Sequence, residues 1–282
     1  MKKKLLLITL LLILGIKLVG AEEVRRRGDV NISSSRDFYL DCSAGLIPGC
    51  STIEKFGGNQ DIDDADGYQT VWAGGPTVGD IDITATAQTF SIYSSSDVDT
   101  SDDIGCRAWA FIGVDENWEL TTEIVVSAGE EVANTTGEFR FFNRVACASA
   151  GSSRTNVGNV NVFGDVNGST IAYVLAGIGT TEQLVFVVPS GKTGFIVGAR
   201  LNGVKTSGAS PVIRARGYRH TSSGLTTVTD REDFDTGVQN SLQGPQFTVT
   251  PIPEKTIFEV RADSGAADTI VYGRLYIVFL DN

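Results

Sequence analysis

From about Tyr68 onward the chain is built of short runs of Val, Ile, Thr, Phe and Tyr separated by Gly, Asn, Asp and Ser. Polar and apolar positions largely alternate in Gln88-Thr89-Phe90-Ser91-Ile92-Tyr93, in Glu138-Phe139-Arg140-Phe141 and in Ile213-Arg214-Ala215-Arg216. That period of two predicts strands with one wet face. Leu184-Val185-Phe186-Val187-Val188 and Leu275-Tyr276-Ile277-Val278-Phe279-Leu280 are continuous apolar runs, expected of strands buried on both faces. No stretch past residue 21 sustains an apolar period of 3.6 over three turns. Roughly a dozen runs at this spacing predict an all-β fold, an antiparallel β-sandwich or jelly roll. It forms either one continuous double sandwich or two tandem units divided near Gly151-Ser152-Ser153-Arg154.

The first residues follow a different pattern. Lys2, Lys3 and Lys4 precede an almost unbroken apolar run, Leu5 to Leu14, and Val19-Gly20-Ala21 sets small residues before Glu22. This predicts a secretory signal peptide over 1–21. The rival is an uncleaved anchor. Against it, the run to Gly20 contains Lys17 and falls short of the roughly 20 residues that span a bilayer. Arg25, Arg26 and Arg27 on the far side also blur the charge asymmetry of a membrane span. No cysteine directly follows the run, so lipid modification there is not expected. Residues 22–60 are polar and irregular, an N-terminal arm, followed by a first β unit over 61–150 and a second over 151–282. Once the signal is removed, no membrane segment is expected.

Charge narrows the function. With 23 Lys and Arg against 34 Asp and Glu, the net charge of the 282 residues is −11. Removing residues 1–21 takes away four lysines and no acid, so 23 basic residues become 19 and the net charge becomes −15. Nucleic-acid binding rests on clustered Lys and Arg and is not expected. His220 is the sole histidine, which excludes two-histidine metal sites. It sits beside a Ser/Gly turn with no GxSxG elbow, so a surface role is expected rather than a Ser-His-Asp triad.

Export gives the cysteines meaning. Cys42, Cys50, Cys106 and Cys147 are even in number, as a disulfide framework requires, with three possible pairings. Cys42 and Cys50 bracket a short loop containing Gly45, Pro48 and Gly49, and this is the favoured pair. Cys106 and Cys147 sit in apolar runs, where they are either bridged or buried as small hydrophobes. No CxxC spacing supports zinc.

Asp61, Asp63, Asp64 and Asp66 before Gly67 form the densest acidic cluster, a weak Ca²⁺ candidate that fails the EF-hand spacing. Asp97, Asp99, Asp102 and Asp103 form a second group. Solvated acidic loops are the plainer expectation for both, and no other cofactor is indicated. Gly191-Lys192-Thr193 echoes a phosphate-binding loop but lacks its first glycine, and reads as a β-turn. Trp72, Trp109 and Trp118, with Tyr68 and Tyr93, could offer sugar-stacking faces. Trp109 is expected in the core, and Trp118 is the one expected to be exposed. Asn31, Asn134 and Asn167 begin N-x-[ST] sequons. Paired carboxylates for glycoside hydrolysis cannot be singled out among 34 acids.

Several stretches, taken in order, resemble a known group of sequences. They are Lys55-Phe56-Gly57 and Asn59, Val71-Trp72-Ala73-Gly74-Gly75, Ser94-Ser95-Ser96 with Asp99-Thr100, and Gly105-Cys106-Arg107. Ile112-Gly113-Val114-Asp115, Trp118, Arg144-Val145, Ala150-Gly151-Ser152 and Asn156-Val157-Gly158-Asn159-Val160 follow. Val188-Pro189-Ser190-Gly191-Lys192-Thr193 and Ile252-Pro253-Glu254-Lys255-Thr256 complete the set. Together they resemble a family of poorly characterised virion-associated proteins of tailed phages and large algal viruses. The resemblance implies a structural role in a virion and carries over no catalytic residue. A signal peptide is unusual for such proteins, and Cys106 stands where Ala is expected; both point to export through a cell envelope. The expectation is therefore a non-enzymatic structural protein, secreted, extracellular or on a virion surface. Its partner is itself, as a homo-oligomer or polymer, with the Arg25-Arg26-Arg27 arm as the agent of assembly. The alternative is a secreted carbohydrate-binding or carbohydrate-cleaving module with a surface glycan as partner.

Overall fold

The computed structural model describes residues 35–62, 67–75, 86–164, 169–205, 212–221, 224–235, 251–265 and 268–282. The chain divides into two units, Met1–Pro48 and Gly49–Asn282. In the first, the described segment holds helix α1 (Ser35–Ser43). It stops where Gly45 adopts a left-handed φ of 70°, with the Leu46 N–H returning to the Asp41 carbonyl at 2.9 Å. A helix therefore forms inside the segment expected to be irregular.

The second unit is antiparallel β throughout its described residues. Its strands are β1 (Cys50–Ile62), β2 (Gln69–Thr70), β3 (Phe90–Ser94), β4 (Cys106–Val114) and β5 (Leu120–Val126). Next come β6 (Ala133–Asn134), β7 (Phe141–Ala150), β8 (Val160–Gly164), β9 (Thr170–Val174) and β10 (Val185–Val188). The last are β11 (Lys192–Lys205), β12 (Val212–Thr221), β13 (Gly224–Asp235), β14 (Thr256–Ser264) and β15 (Thr269–Asp281). They pair in four sheets: β1-β15-β11; β10-β14-β12-β13 with β2 also on β14; β6-β3-β8-β9; and β5-β4-β7.

Two apolar cores lie between these sheets. The first gathers Trp109, Phe111 and Val145 from β5-β4-β7, Phe90, Ile92, Val160 and Val162 from β6-β3-β8-β9, and Val185, Val187 and Ile257. Phe142 packs its ring against Phe90, Phe139 and Phe111 at 4.6, 5.0 and 5.2 Å. The second gathers Leu201, Leu275, Ile277 and Phe279 from β1-β15-β11 against Leu184, Phe186, Val188, Phe258 and Val260. The Leu184–Val188 run thus alternates between cores, with Val185 and Val187 in the first and the other three in the second. All five are fully buried, which accounts for the unbroken apolar run. Each such side chain contributes about 1.5–3 kcal/mol.

Two expectations shift. Residues 50–60, assigned to the arm, belong to β1, which pairs with β15 from Cys50↔Leu280 to Ile62↔Thr269. The Gln88–Tyr93 strand has no fully wet face: Ser91 is buried and hydrogen-bonded to Asn134, and Gln88, Thr89 and Tyr93 are half-buried. β7 ends at Ala150 and β8 begins at Val160. β3 pairs with β8 from Phe90↔Gly164 to Ser94↔Val160, so strands on either side of Gly151 build one core.

Candidate functional site

The second acidic group contains one residue unlike the rest. Asp99 is fully buried, while Asp97, Asp102 and Asp103 are exposed. Its carboxylate accepts the Ser94 hydroxyl at 2.6 Å and the backbone N–H groups of Cys106 at 2.8 Å, Val157 at 2.9 Å and Gly158 at 2.9 Å. A buried carboxylate held by this many donors is a joint between three chain segments, with no acceptor lone pairs to spare for a cation. Two glycines let the segments close on it: a Cβ on Gly105 would lie 2.0 Å from Asp99 Oδ1, and one on Gly158 2.5 Å from Ser94 Oγ.

Some of the stretches named above meet in the fold. Ser94, Cys106, Val157 and Gly158 meet at the Asp99 carboxylate. Val188–Thr193 meets Ile252–Thr256, where Gly191 N–H donates to Glu254 Oε2 at 2.5 Å and Lys255 N–H to the Val188 carbonyl at 2.9 Å. Lys192 opens β11 and pairs with Asp281 at 2.5 Å, so this segment is a turn into a strand, as expected.

His220 departs from the expected surface position. It is 8% exposed, and its Nε2 lies 2.8 Å from Glu259 Oε2. Glu259, on the neighbouring strand, is fully buried and also accepts Arg261 at 2.8 Å and the Thr70 hydroxyl. Burial alone would raise the Glu259 pKa, but the hydrogen bonds from His220, Arg261 and Thr70 outweigh it and hold the carboxyl below its ordinary value. Among the described residues the network links β2, β12 and β14.

The tryptophans form no sugar platform. Trp72 and Trp109 are 1% exposed, and Trp118, expected outside, is 8% exposed with the Arg140 guanidinium 5.3 Å from its ring centre. Tyr93 is half-buried, edge-on to Phe163. A cleft of about 480 Å³ runs beside Asp115, Glu116, Glu123 and Glu138. Asp115 Oδ1 is taken up by the N–H groups of Asn117 and Glu119, and Glu123 by Thr136 and Gly137.

Asp61 lies exposed at the end of β1, and Asp63, Asp64 and Asp66 lie outside the described residues. Among the described residues no group of three His, Cys, Asp or Glu is arranged for a metal. Arg25, Arg26 and Arg27 also lie outside them, as do Asn31 and Asn167. Cys106 and Cys147 form a disulfide between β4 and β7, and Cys42 and Cys50 are each disulfide-bonded. No described helix is long and apolar enough to cross a membrane.

One site was not visible in the sequence. Lys55, on β1, is 3% exposed, and its Nζ donates to the Asn143 carbonyl. Arg144, next along β7, donates to the Glu54 carbonyl at 2.8 Å. Together with Phe56, Thr180 and Thr181 they line a cavity of about 70 Å³. Burial, and then the Arg144 charge, lower the Lys55 pKa from 10.5 to about 7.

No protein-family model matches the chain, and no curated protein matches it. Among solved structures, it is similar to the Gt strain of infectious bursal disease virus, with 13% identity over 83% of this chain and 74% of that one, at a TM-score of 0.22. T=1 particles derived from infectious bursal virus show 12% identity over 86% and 75%, at 0.23. The VP2 subviral particle of infectious bursal disease virus shows 10% over 86% and 76%, at 0.22. Likeness at this level assigns neither fold nor function, and the all-β class rests on the sheets themselves.

Proposed function

We propose that this is a non-enzymatic structural protein that assembles with copies of itself, in a virion or an extracellular structure. The observation that carries the reading is the outer face of the β5-β4-β7 sheet. Leu120, Ile124 and Val126 alternate along β5 and are 50%, 55% and 60% exposed. β5 is the edge strand, and half-buried Ala108, Ala110 and Ile112 of β4 stand opposite Val126, Ile124 and Thr122 on the same face. In a chain of net charge −11, like charges oppose self-association over most of the surface. This row carries no charge, so two copies can meet here without burying unpaired carboxylates, and apolar area is gained. The sequence resemblance to virion-associated proteins supports the virion setting, and the signal-like N-terminus and disulfides support an oxidising, exported one.

The test is Ile124→Lys, alone and with Val126→Lys, followed by light scattering at matched concentrations. Both positions are exposed, so the fold should survive. The reading expects the variants to lose the higher-mass species of the wild type. Unchanged assembly in the double variant would remove this face from the account.

A further inference from the structure

We infer that the cavity between β1 and β7 is a binding site for a small oxyanion, held between the Lys55 ammonium and the Arg144 guanidinium. This goes beyond the assembly reading and does not depend on it.

The charges at this cavity are unbalanced. The chain has 34 acidic residues, yet among the described residues no carboxylate pairs with Lys55 or with Arg144. Other cations do meet carboxylates: Lys192 pairs with Asp281, Arg261 with Glu259 and Arg274 with Glu54. Buried charge without a counter-charge is costly, so an unpaired lysine beside an arginine wants an anion.

Donors are available for it. An ammonium has three N–H bonds and a guanidinium five. Lys55 spends one on Asn143 O, and Arg144 one on Glu54 O. Thr181 Oγ1 accepts the Val145 N–H at 3.3 Å, which leaves its own proton to donate. The planar guanidinium suits the two oxygens of an oxyanion. A water needs roughly 10–15 Å³ of such space. The cavity, at about 70 Å³, therefore has room for a group of a few heavy atoms and not for a nucleotide or a sugar chain. Arg144, Phe56 and Thr180 are only half-buried, so the site can be reached.

The charged groups around Lys55 fix how binding follows pH. From β7 it meets Arg144, and the 180–181 segment offers only hydroxyls. On its own strand, Glu54 is engaged by Arg274 at 3.1 Å. With a pKa of about 7, Lys55 goes from about nine-tenths to one-tenth charged between pH 6 and 8.

The test uses sulfate, whose charge is constant over that range, titrated calorimetrically into the full protein at fixed ionic strength balanced with chloride. Sulfate also stabilises proteins by exclusion from their surface, so saturable heat and not a melting shift is the readout. The expected result is one saturable site that weakens about tenfold from pH 6 to 8 and is lost in Lys55→Met and in Arg144→Gln. Arg144 is half-buried and Met removes a buried charge, so both variants should fold, as circular dichroism can verify. No saturable heat in the wild type, or wild-type binding in either variant, overturns the inference.

Discussion

The carboxylate of Asp99 accepts the backbone amide of Gly158 at 2.9 Å, joining the loop after β3 to the loop before β8 across 59 residues. The same carboxylate accepts the Cys106 amide where β4 begins. Asp99→Asn replaces one acceptor oxygen with an NH₂ facing backbone donors. It should cost about 2–4 kcal/mol, since hydrogen bonds to charged groups contribute about 1.5–3 kcal/mol each. Gly158→Ala, which drives a methyl towards Ser94 Oγ and Ser96 N, should cost about 1–3 kcal/mol. Urea unfolding of the three proteins checks both. A change under about 0.5 kcal/mol for Asp99→Asn, the range of ordinary surface substitutions, would show that the joint is unimportant.

Glu259 gives the acid limb of stability a specific source. Its folded pKa is depressed below the ordinary 4.5, so its contribution is present above that pH and is lost as pH falls through the folded value. Glu259→Gln breaks the pairing with His220 and Arg261 and should cost about 3–5 kcal/mol near neutral pH. Unfolding free energies measured from pH 3 to 7 should converge between variant and wild type at the acid end. Parallel curves would contradict the assignment.

The sequence made the strand class legible because the runs are strongly apolar, and Leu184–Val188 reads as doubly buried from its five apolar side chains alone. Most of β1 did not read as a strand. Glu54-Lys55-Phe56-Gly57-Gly58-Asn59 has the composition of a loop, and only tertiary packing explains it. A Cβ on Gly57 would lie 2.5 Å from the Val71 carbonyl, so the glycine is there for close approach and not for a turn. Asp99 was legible as one acid of four. Its burial depends on amides 58 and 59 residues away, which local pattern does not reveal. Lys55 and Arg144 are 89 positions apart, and only the contact between β1 and β7 joins them.

The disulfides make a mapping prediction. Non-reducing peptide maps of exported protein should recover Cys106 joined to Cys147, and Cys42 joined to Cys50 across their short turn-rich loop. Replacing Cys106 and Cys147 together with Ala should cost about 2–4 kcal/mol, because their bridge closes a long loop in the unfolded chain. Free Cys42 and Cys50 thiols in exported protein would refute the N-terminal pairing.

The arm makes another. Arg25, Arg26 and Arg27 are a basic run in an acidic chain, and an acidic neighbouring copy would attract them and fix register. An extended arm can also add main-chain hydrogen bonds at a sheet edge. Deleting residues 22–34, which leaves α1 whole, should leave the β circular-dichroism signal of the second unit intact and weaken assembly. Equal assembly by the truncated protein would make the arm an inert linker.

The mass of the purified, exported protein decides whether it assembles with copies of itself. Multi-angle light scattering across a hundredfold range of concentration should show species at multiples of the monomer mass, rising with concentration and falling back to monomer in Ile124→Lys. A single monomer mass at every concentration, in the protein with its arm and disulfides intact, would contradict a self-assembling structural role.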